Sequence, residues 1–329
     1  MSTTTPSLIQ EGSHGCVFNP PLPCRDSKAV SKVNVGKVMK IRNSDIELNI
    51  SNILHAIPGW KRYYTLQRKD SCSPTDFSKL RAEIQADCSI YRKESDSDLI
   101  QLLSPYSGIR LETMAISTTF DFLETFRHVL EGLVNLEKQG ICHYDLHEGN
   151  VLVDHHGTFR LIDFGSAFIG DSISENAVKK HIYNFSPEYP PQPPELSVQN
   201  GLYQGLEMTY IIKEVIKQKK VLYDARVILG TPLTQAQEEM VEFWKDDTTW
   251  VGEGWEKFFR TYWRTWDSWA IGVIFTSILK KCLLLNNFQP VWKKHGHTIR
   301  KVLRGCLHSN PMKRWTAIQA LSSINLTFV

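Results

Sequence analysis

The chain has no Cys-x-x-Cys pair and no Cys/His cluster at metal-ligand spacing; its seven cysteines, at positions 16, 24, 72, 88, 142, 282 and 306, are scattered. That pattern excludes the usual zinc modules, and the odd count reads as reduced thiols in an intracellular, cytoplasmic setting. An excess of either charge is also missing, because 38 basic and 35 acidic residues leave a formal net charge of +3. Such balance gives no electrostatic footprint for nucleic acid or anionic lipid. Residues 1–6 have neither the basic nor the apolar region that starts a secretory signal. No apolar run is long enough for a bilayer; the richest, 269–285, is interrupted by Lys280 and Lys281 and is expected to form a buried helix. Internal repeats and low-complexity tracts are absent. What is present, 42% apolar and 22% charged residues, is ordinary globular composition, so disorder is not the default.

The first hundred residues read mostly as strands. Residues 7–18 suggest strand, glycine turn, strand, and Pro20-Pro-Leu-Pro23 follows as a stiff loop that cannot continue a ladder. Residues 33–41 alternate as a strand ending in Val38-Met-Lys40-Ile41. Ile46, Ile50, Ile53 and Leu54 recur at helical spacing until Pro58-Gly59 ends the run. Further strands are expected at 63–66, 88–91 and 99–103. Beyond a hinge near 104–109 the texture turns helical, beginning with Phe120 to Gln139, where Phe122, Phe126, Val129, Leu130, Leu133 and Leu136 line one face. Residues 196–262 add helical patterns at 206–216 and 236–244 around Gly230-Thr-Pro232, then an aromatic end too rich to be freely solvated. Two lobes, 1–105 and 106–329, are the simplest organisation.

The chemistry is carried by His143-Tyr-Asp145-Leu-His147-Glu-Gly-Asn150 and, thirteen residues later, Asp163-Phe164-Gly165. Phosphoryl transfer from magnesium-bound ATP needs one carboxylate near the attacking hydroxyl, plus an amide oxygen and a second carboxylate to hold the metal on the phosphates. These two segments supply all three. Either alone could be ordinary turn residues; the pair at this spacing is what makes the reaction class specific.

On these motifs the chain resembles the eukaryotic-type serine/threonine protein kinases, from about residue 8 to about residue 322. The resemblance implies an α+β, two-lobed protein kinase-like fold: an N-terminal antiparallel sheet plus one helix, then a mainly helical lobe with an insertion at about 196–262 before the Asp267 helix. It implies ATP and Mg2+ as cofactors and a protein with a Ser/Thr acceptor as partner. By resemblance Asp145 is the catalytic base, Asn150 and Asp163 hold the metal, Lys40 is the strand lysine that contacts the phosphates, and Glu47 is its helix partner. Gln10, Glu11, Gly12, Ser13, His14, Gly15, Cys16 and Val17 form the phosphate-covering loop, with Gln10 replacing its first glycine. Val17 and Val38 would lie above the adenine and Leu152 below it, with backbone groups of Pro105, Tyr106 and Ser107 at its polar edge.

Asp267-Ser-Trp269-Ala-Ile-Gly272 matches the helix whose aspartate braces the catalytic loop, and Arg314 matches the arginine that pairs with the glutamate closing the activation segment. Glu188 is favoured for that glutamate on spacing, with Glu195 its rival. A looser likeness, through the glycine loop, Pro20-Pro-Leu-Pro-Cys24 and the insertion, is to kinases encoded by large DNA viruses, which would place the chain in a host cell or virion.

Two letters depart from the family. Tyr144 stands where regulated kinases carry the arginine that reads an activation-loop phosphate, so activity is expected not to depend on phosphorylation between 166 and 185. His147 stands where serine/threonine kinases carry a lysine that steadies the transferred phosphate. His147 keeps open a kinase acting on a small molecule, which Asp267 and Arg314 oppose. The third reading is a pseudokinase scaffold that binds partners through the insertion.

Overall fold

The computed structural model describes residues 5–12, 15–25, 34–68, 71–75, 80, 82, 88–90, 98–246 and 254–325. They divide into two compact units, residues 1–108 with 160–167, and residues 109–159 with 168–329.

The first unit is built on strands β1 (Ser7–Gly12), β2 (Gly15–Asn19), β3 (Asn34–Lys40) and β4 (Leu99–Pro105), hydrogen-bonded in that order and antiparallel throughout. Helix α1 (Ile41–His55) leaves β3 without an intervening loop, Lys40 serving as its extended N-cap residue. Alternation along β2 and β3 sends Cys16, Phe18 and Val38 to one face, where they pack with Leu22, Cys88 and Leu99. Gln101 of β4 stitches the proline loop to the sheet: its amide accepts from Leu22 N–H and donates to Leu22 C=O, both at 2.9 Å.

Two features correct the sequence reading. Four cysteines are not thiols: Cys16 is bonded to Cys88 and Cys24 to Cys72, leaving Cys142, Cys282 and Cys306 free and buried. The partners lie 72 and 48 residues apart, and such separations carry no spacing signature. The strands expected at 63–66 and 88–91 do not form. Tyr64 makes only an isolated bridge to Leu161, and Ser89 and Ile90 are helical, while Tyr91 lies outside the described residues.

In the second unit β5 (Ile109–Arg110) pairs with β7 (Val151–Val153), and β6 (Ile141–Cys142) with β9 (Phe168–Ile169); after the Asp154–Gly157 turn, β8 (Phe159–Leu161) begins the return of the chain to residues of the first unit. Around them lie α2 (Phe122–Lys138), α3 (Glu175–His181), α4 (Pro194–Tyr203), α5 (Met208–Gln218), α6 (Lys220–Ile228), α7 (Leu233–Asp246), α8 (Trp255–Tyr262), α9 (Trp266–Cys282), α10 (Gln289–Cys306) and α11 (Ala317–Asn325). The α+β architecture expected from the motifs is therefore present, with the helices concentrated in the second half. The apolar stretch 269–285 falls mostly in α9, buried along nearly its whole length. No single described helix is long and apolar enough to cross a membrane.

The described residues of 196–262 fold onto this unit rather than away from it. Ile211, Ile212 and Val215 of α5, Met240, Phe243 and Trp244 of α7, and Phe258 and Phe259 of α8 join Tyr144, Phe168 and Trp266 in one apolar cluster. The aromatic end is consumed by packing, as edge-to-face contacts such as Phe259 with Trp266 at 4.7 Å show. Trp250 lies outside the described residues.

Candidate active site

In the first unit one lysine is held by two carboxylates, and it is Lys37. Its Nζ donates to Glu47 at 2.8 Å and to Asp163 at 2.7 Å, while Gln67 Nε2 donates to the other Glu47 oxygen at 2.8 Å. Burial lowers the lysine's pKa, but Asp163 and Glu47 outweigh that cost and hold it above the ordinary value. Lys40, the residue expected here, is the N-cap of α1 and belongs to a different part of the strand's end. The reason is register: Glu47 lies on α1, and the lysine that reaches it lies three residues before Lys40.

The same slip misplaced Val38. Side chains alternate along a strand, so a shift of three residues changes the face. Val38 lies opposite Cys16 in the small core, whereas Val17 lies opposite Lys37 and shares its face; Val35, two residues before Lys37, lies on that face too.

Gly12 and Gly15 pair at the end of the β1–β2 hairpin, and Gln10 and Glu11 face Val17 and Cys16 across it. A Cβ on Gly15 would sit 2.1 Å from the Val38 carbonyl oxygen, so only glycine lets the two backbones approach. The hairpin is anchored twice to one short segment, through Cys16–Cys88 and through Glu11, which accepts from Ser89 N–H at 2.8 Å. Ser13 and His14 lie outside the described residues. Pro105 ends β4, and the exposed Tyr106 and then Ser107 follow it; the Ser107 hydroxyl turns back to the Pro105 carbonyl. Asp163 adopts φ +62°, with Gly165 N–H donating to its carboxylate, and Phe164 buries its ring edge-on against Tyr64.

The second unit holds the 143–150 loop. Asp267, at the start of α9, accepts from His143 N–H at 2.7 Å and from Tyr144 N–H at 3.0 Å. Burial raises its pKa, against the pull of His143 and these backbone donors. The brace allows Tyr144 to sit at φ +71°, where a non-glycine residue needs its surroundings to hold it. Tyr144 does not point to solvent in place of an arginine: it is buried, donates to the His181 carbonyl at 2.6 Å, and packs edge-on to Phe168.

Asn150 donates through Nδ2 to the Asp145 carbonyl at 2.8 Å, which leaves its amide oxygen as the acceptor end. His147 Nδ1 accepts from Gly149 N–H at 3.1 Å, and a Cβ on Gly149 would come within 2.8 Å of the imidazole. That contact ties His147 to its own loop. Leu152 lies in β7 opposite Arg110.

The Asp145 carboxylate receives the phenolic O–H of Tyr189. Burial and the neighbouring Asp145 raise the pKa of that phenol, so it stays protonated as a donor. Beside the loop opens a cavity of about 390 Å³, lined by His147, Glu148, Tyr189 and Lys219 among others. Further along, Glu195 at the start of α4 pairs with Arg314, the pairing expected of Glu188. Ser186-Pro-Glu188 and Pro193-Pro-Glu195 share the Pro-Glu pair; spacing favours the first, and the buried ion pair with Arg314 forms at the second.

The amide oxygen of Asn150, in the second unit, and the carboxylate of Asp163, in the first, are each the kind of oxygen ligand that a hard cation takes. Among the described residues no group of three His, Cys, Asp or Glu side chains gathers to hold a metal.

Residues 95–204 match the family model described as protein kinase domain. Over 88 residues, 26% of the chain, it is 30% identical to a probable serine/threonine-protein kinase MRK1 homolog of Encephalitozoon cuniculi, covering 28% of that protein. Over 212 residues, 59% of the chain, it is 24% identical to the MAP kinase kinase kinase SSK2 of Saccharomyces cerevisiae, covering 11% of it. It is also similar to cell division control protein 7 of Schizosaccharomyces pombe, at 27% identity over 57% of the chain and 16% of the relative. The chain thus spans less than a third of the length of these relatives. With the kinase-domain match, the N-terminal antiparallel sheet and the mainly helical remainder, the fold is protein kinase-like.

Proposed function

We propose that the chain is an active serine/threonine protein kinase that passes the γ-phosphoryl group of ATP to a protein hydroxyl. The observation that carries this reading is Lys37, buried and bonded at once to the α1 glutamate and to Asp163. A lysine is costly to bury, and the two carboxylates that hold this one support Lys37, rather than Lys40, as the phosphate-contacting lysine of the resemblance. A protein rather than a small molecule as acceptor is supported by Asp267 and by Arg314 with Glu195, which match features of protein kinases.

In this reading Asp145 accepts the proton of the attacking hydroxyl, and Asp267 holds the backbone around it. Lys37 orients the phosphates and balances their charge, and Glu47 and Gln67 fix the lysine. Magnesium, held by Asn150 and Asp163, would neutralise the charge that develops on the transferred group. His147 takes the place of the usual lysine in the sequence, with its Nδ1 engaged by Gly149 N–H. Kinship with kinases of large DNA viruses rests on the glycine loop, Pro20-Pro-Leu-Pro-Cys24 and the insertion.

The test is labelled-phosphate transfer from Mg-ATP to a protein panel, with Asp145→Asn beside the wild type and a thermal shift for Mg-ATP. A ligand that binds only the folded state must raise its melting temperature. Transfer lost in Asp145→Asn with the shift retained supports the proposal; equal transfer by both removes Asp145 from its role. No shift and no transfer would leave a scaffold.

A further inference from the structure

We propose that Tyr189 is itself an acceptor for this active centre, phosphorylated in cis by the chain that carries it. The inference rests on the reading of Asp145 as the catalytic base. A general base acts on a hydroxyl within hydrogen-bond reach, and the Tyr189 phenol already donates to the Asp145 carboxylate. The internal residue therefore makes the contact that an outside acceptor must make.

Its placement is built, not incidental. Tyr189 N–H donates to the Ser186 carbonyl at 3.0 Å, and Trp269 Nε1 donates to the Pro190 carbonyl at 3.2 Å. From the junction of α5 and α6, Lys219 donates to the carbonyls of Tyr189 at 3.1 Å and Gln192 at 2.9 Å. Lys219 is 1% exposed, and its buried amine is spent on two backbone oxygens of this one turn. Pro190, Pro191, Pro193 and Pro194 stiffen the same segment. Insertion and helical core thus cooperate to fix the backbone from which the phenol reaches Asp145.

A tethered acceptor has already lost the freedom that an incoming one must give up, and well-oriented intramolecular reactions reach effective molarities on the order of 10⁵ M or more. That advantage lets a phenol react at a centre otherwise directed to serine and threonine. In the step, the phenolic oxygen forms a bond to the γ-phosphorus of ATP while the bond to the β,γ-bridging oxygen breaks. ADP leaves with that electron pair, and the phenolic proton passes to Asp145.

The product does not stay where it forms. A phosphate carrying about −1.5 to −2 charge beside the Asp145 carboxylate is repelled. Tyr144, bonded to the His181 carbonyl, offers no guanidinium to hold it nearby. The modified side chain swings away and opens the base to other hydroxyls, so the unmodified chain shields its own base.

The test incubates the full chain with Mg-ATP, maps phosphate on Tyr189 by mass spectrometry, and follows transfer to dephosphorylated casein. The expected result is phosphotyrosine at 189, with an initial rate per molecule independent of protein concentration over a tenfold range and no mark in Asp145→Asn. Tyr189→Phe should start on casein without the lag that the wild type shows while Tyr189 fills. Casein phosphorylated by a wild type that leaves Tyr189 unmodified overturns the inference alone, as does a per-molecule rate that rises with concentration. No transfer to either acceptor, with the Mg-ATP thermal shift intact, overturns the proposed function as well.

Discussion

Arg314 and Glu195 form a bidentate ion pair with N–O distances of 2.6 and 2.7 Å, and neither side chain has any solvent exposure. The guanidinium also lies 5.1 Å from the centre of the Trp269 ring. A planar fork against a carboxylate is the geometry in which a buried pair recovers most of its desolvation cost. Because Glu195 opens α4 and Arg314 lies near the chain's end, the pair joins the activation segment to the last helices.

Removing one partner should therefore cost more than removing both. Arg314→Leu should lose about 3–5 kcal/mol by leaving a buried carboxylate unpaired, whereas Arg314→Leu with Glu195→Leu should recover part of that loss. Chemical denaturation of the two variants checks this; equal losses would mean the charges are not coupled.

Lys37→Met and Lys40→Met separate the two candidate lysines. The first should reduce phosphoryl transfer by about 10²-fold or more, the size of effect seen when one charge-stabilising group is removed from an active centre, and should weaken the Mg-ATP thermal shift. The second should stay within a few-fold of wild type. Circular dichroism on both guards against misfolding; the reverse order of effects would restore Lys40.

Asp267→Asn offers one acceptor and one donor to two backbone N–H groups. The mismatched donor should cost about 1–3 kcal/mol and should lower kcat more than it changes KM for ATP. Calorimetry with steady-state kinetics reads both, and an unchanged kcat would remove the brace.

Lys219 should give stability a pH slope. Burial pushes its pKa down to about 7, opposed by Glu195 and Glu188 and helped by Arg314. Between that value and the ordinary lysine value of 10.5, the unfolded chain binds more protons than the folded one. Stability therefore rises with pH across this window, and the burial penalty is full below pH 7. Melting temperatures of wild type against Lys219→Met from pH 6.5 to 9.5 should converge or cross in the wild type's favour as pH rises. A constant difference would refute the depressed pKa.

Thiol titration checks the disulfides. In guanidinium without reductant the chain should show three thiols, Cys142, Cys282 and Cys306, and after reduction all seven. Loops of 48 and 72 residues are each worth about 4 kcal/mol in the chain-entropy account, so reduction should lower the denaturation midpoint of the first unit.

Much of the centre was legible where a motif is short and locally rigid. His143 to Asn150, Asp163 to Gly165, Glu47, Asp267 and Arg314 were all assigned from letters at fixed spacing. Lys37 was missed because Val35-Gly-Lys37 and Val38-Met-Lys40 both resemble the strand motif. The structure separates them: β3 and α1 are contiguous, so the lysine at the last strand position becomes a helix cap. Glu195 stood only as the rival of Glu188 because two Pro-Glu pairs compete, and nothing local marks Tyr189 or Lys219.

The sequence by itself determined the identities and order of the groups proposed for phosphoryl transfer, since catalysis demands particular side chains at short, inflexible separations. The tertiary structure decided which of two equivalent letters is used: Lys37 over Lys40, Glu195 over Glu188, paired cysteines over free ones, and Tyr189 against Asp145. Each is a choice between partners tens of residues apart, made by strand register and burial. Those energies arise only when distant segments pack, and no local pattern encodes them.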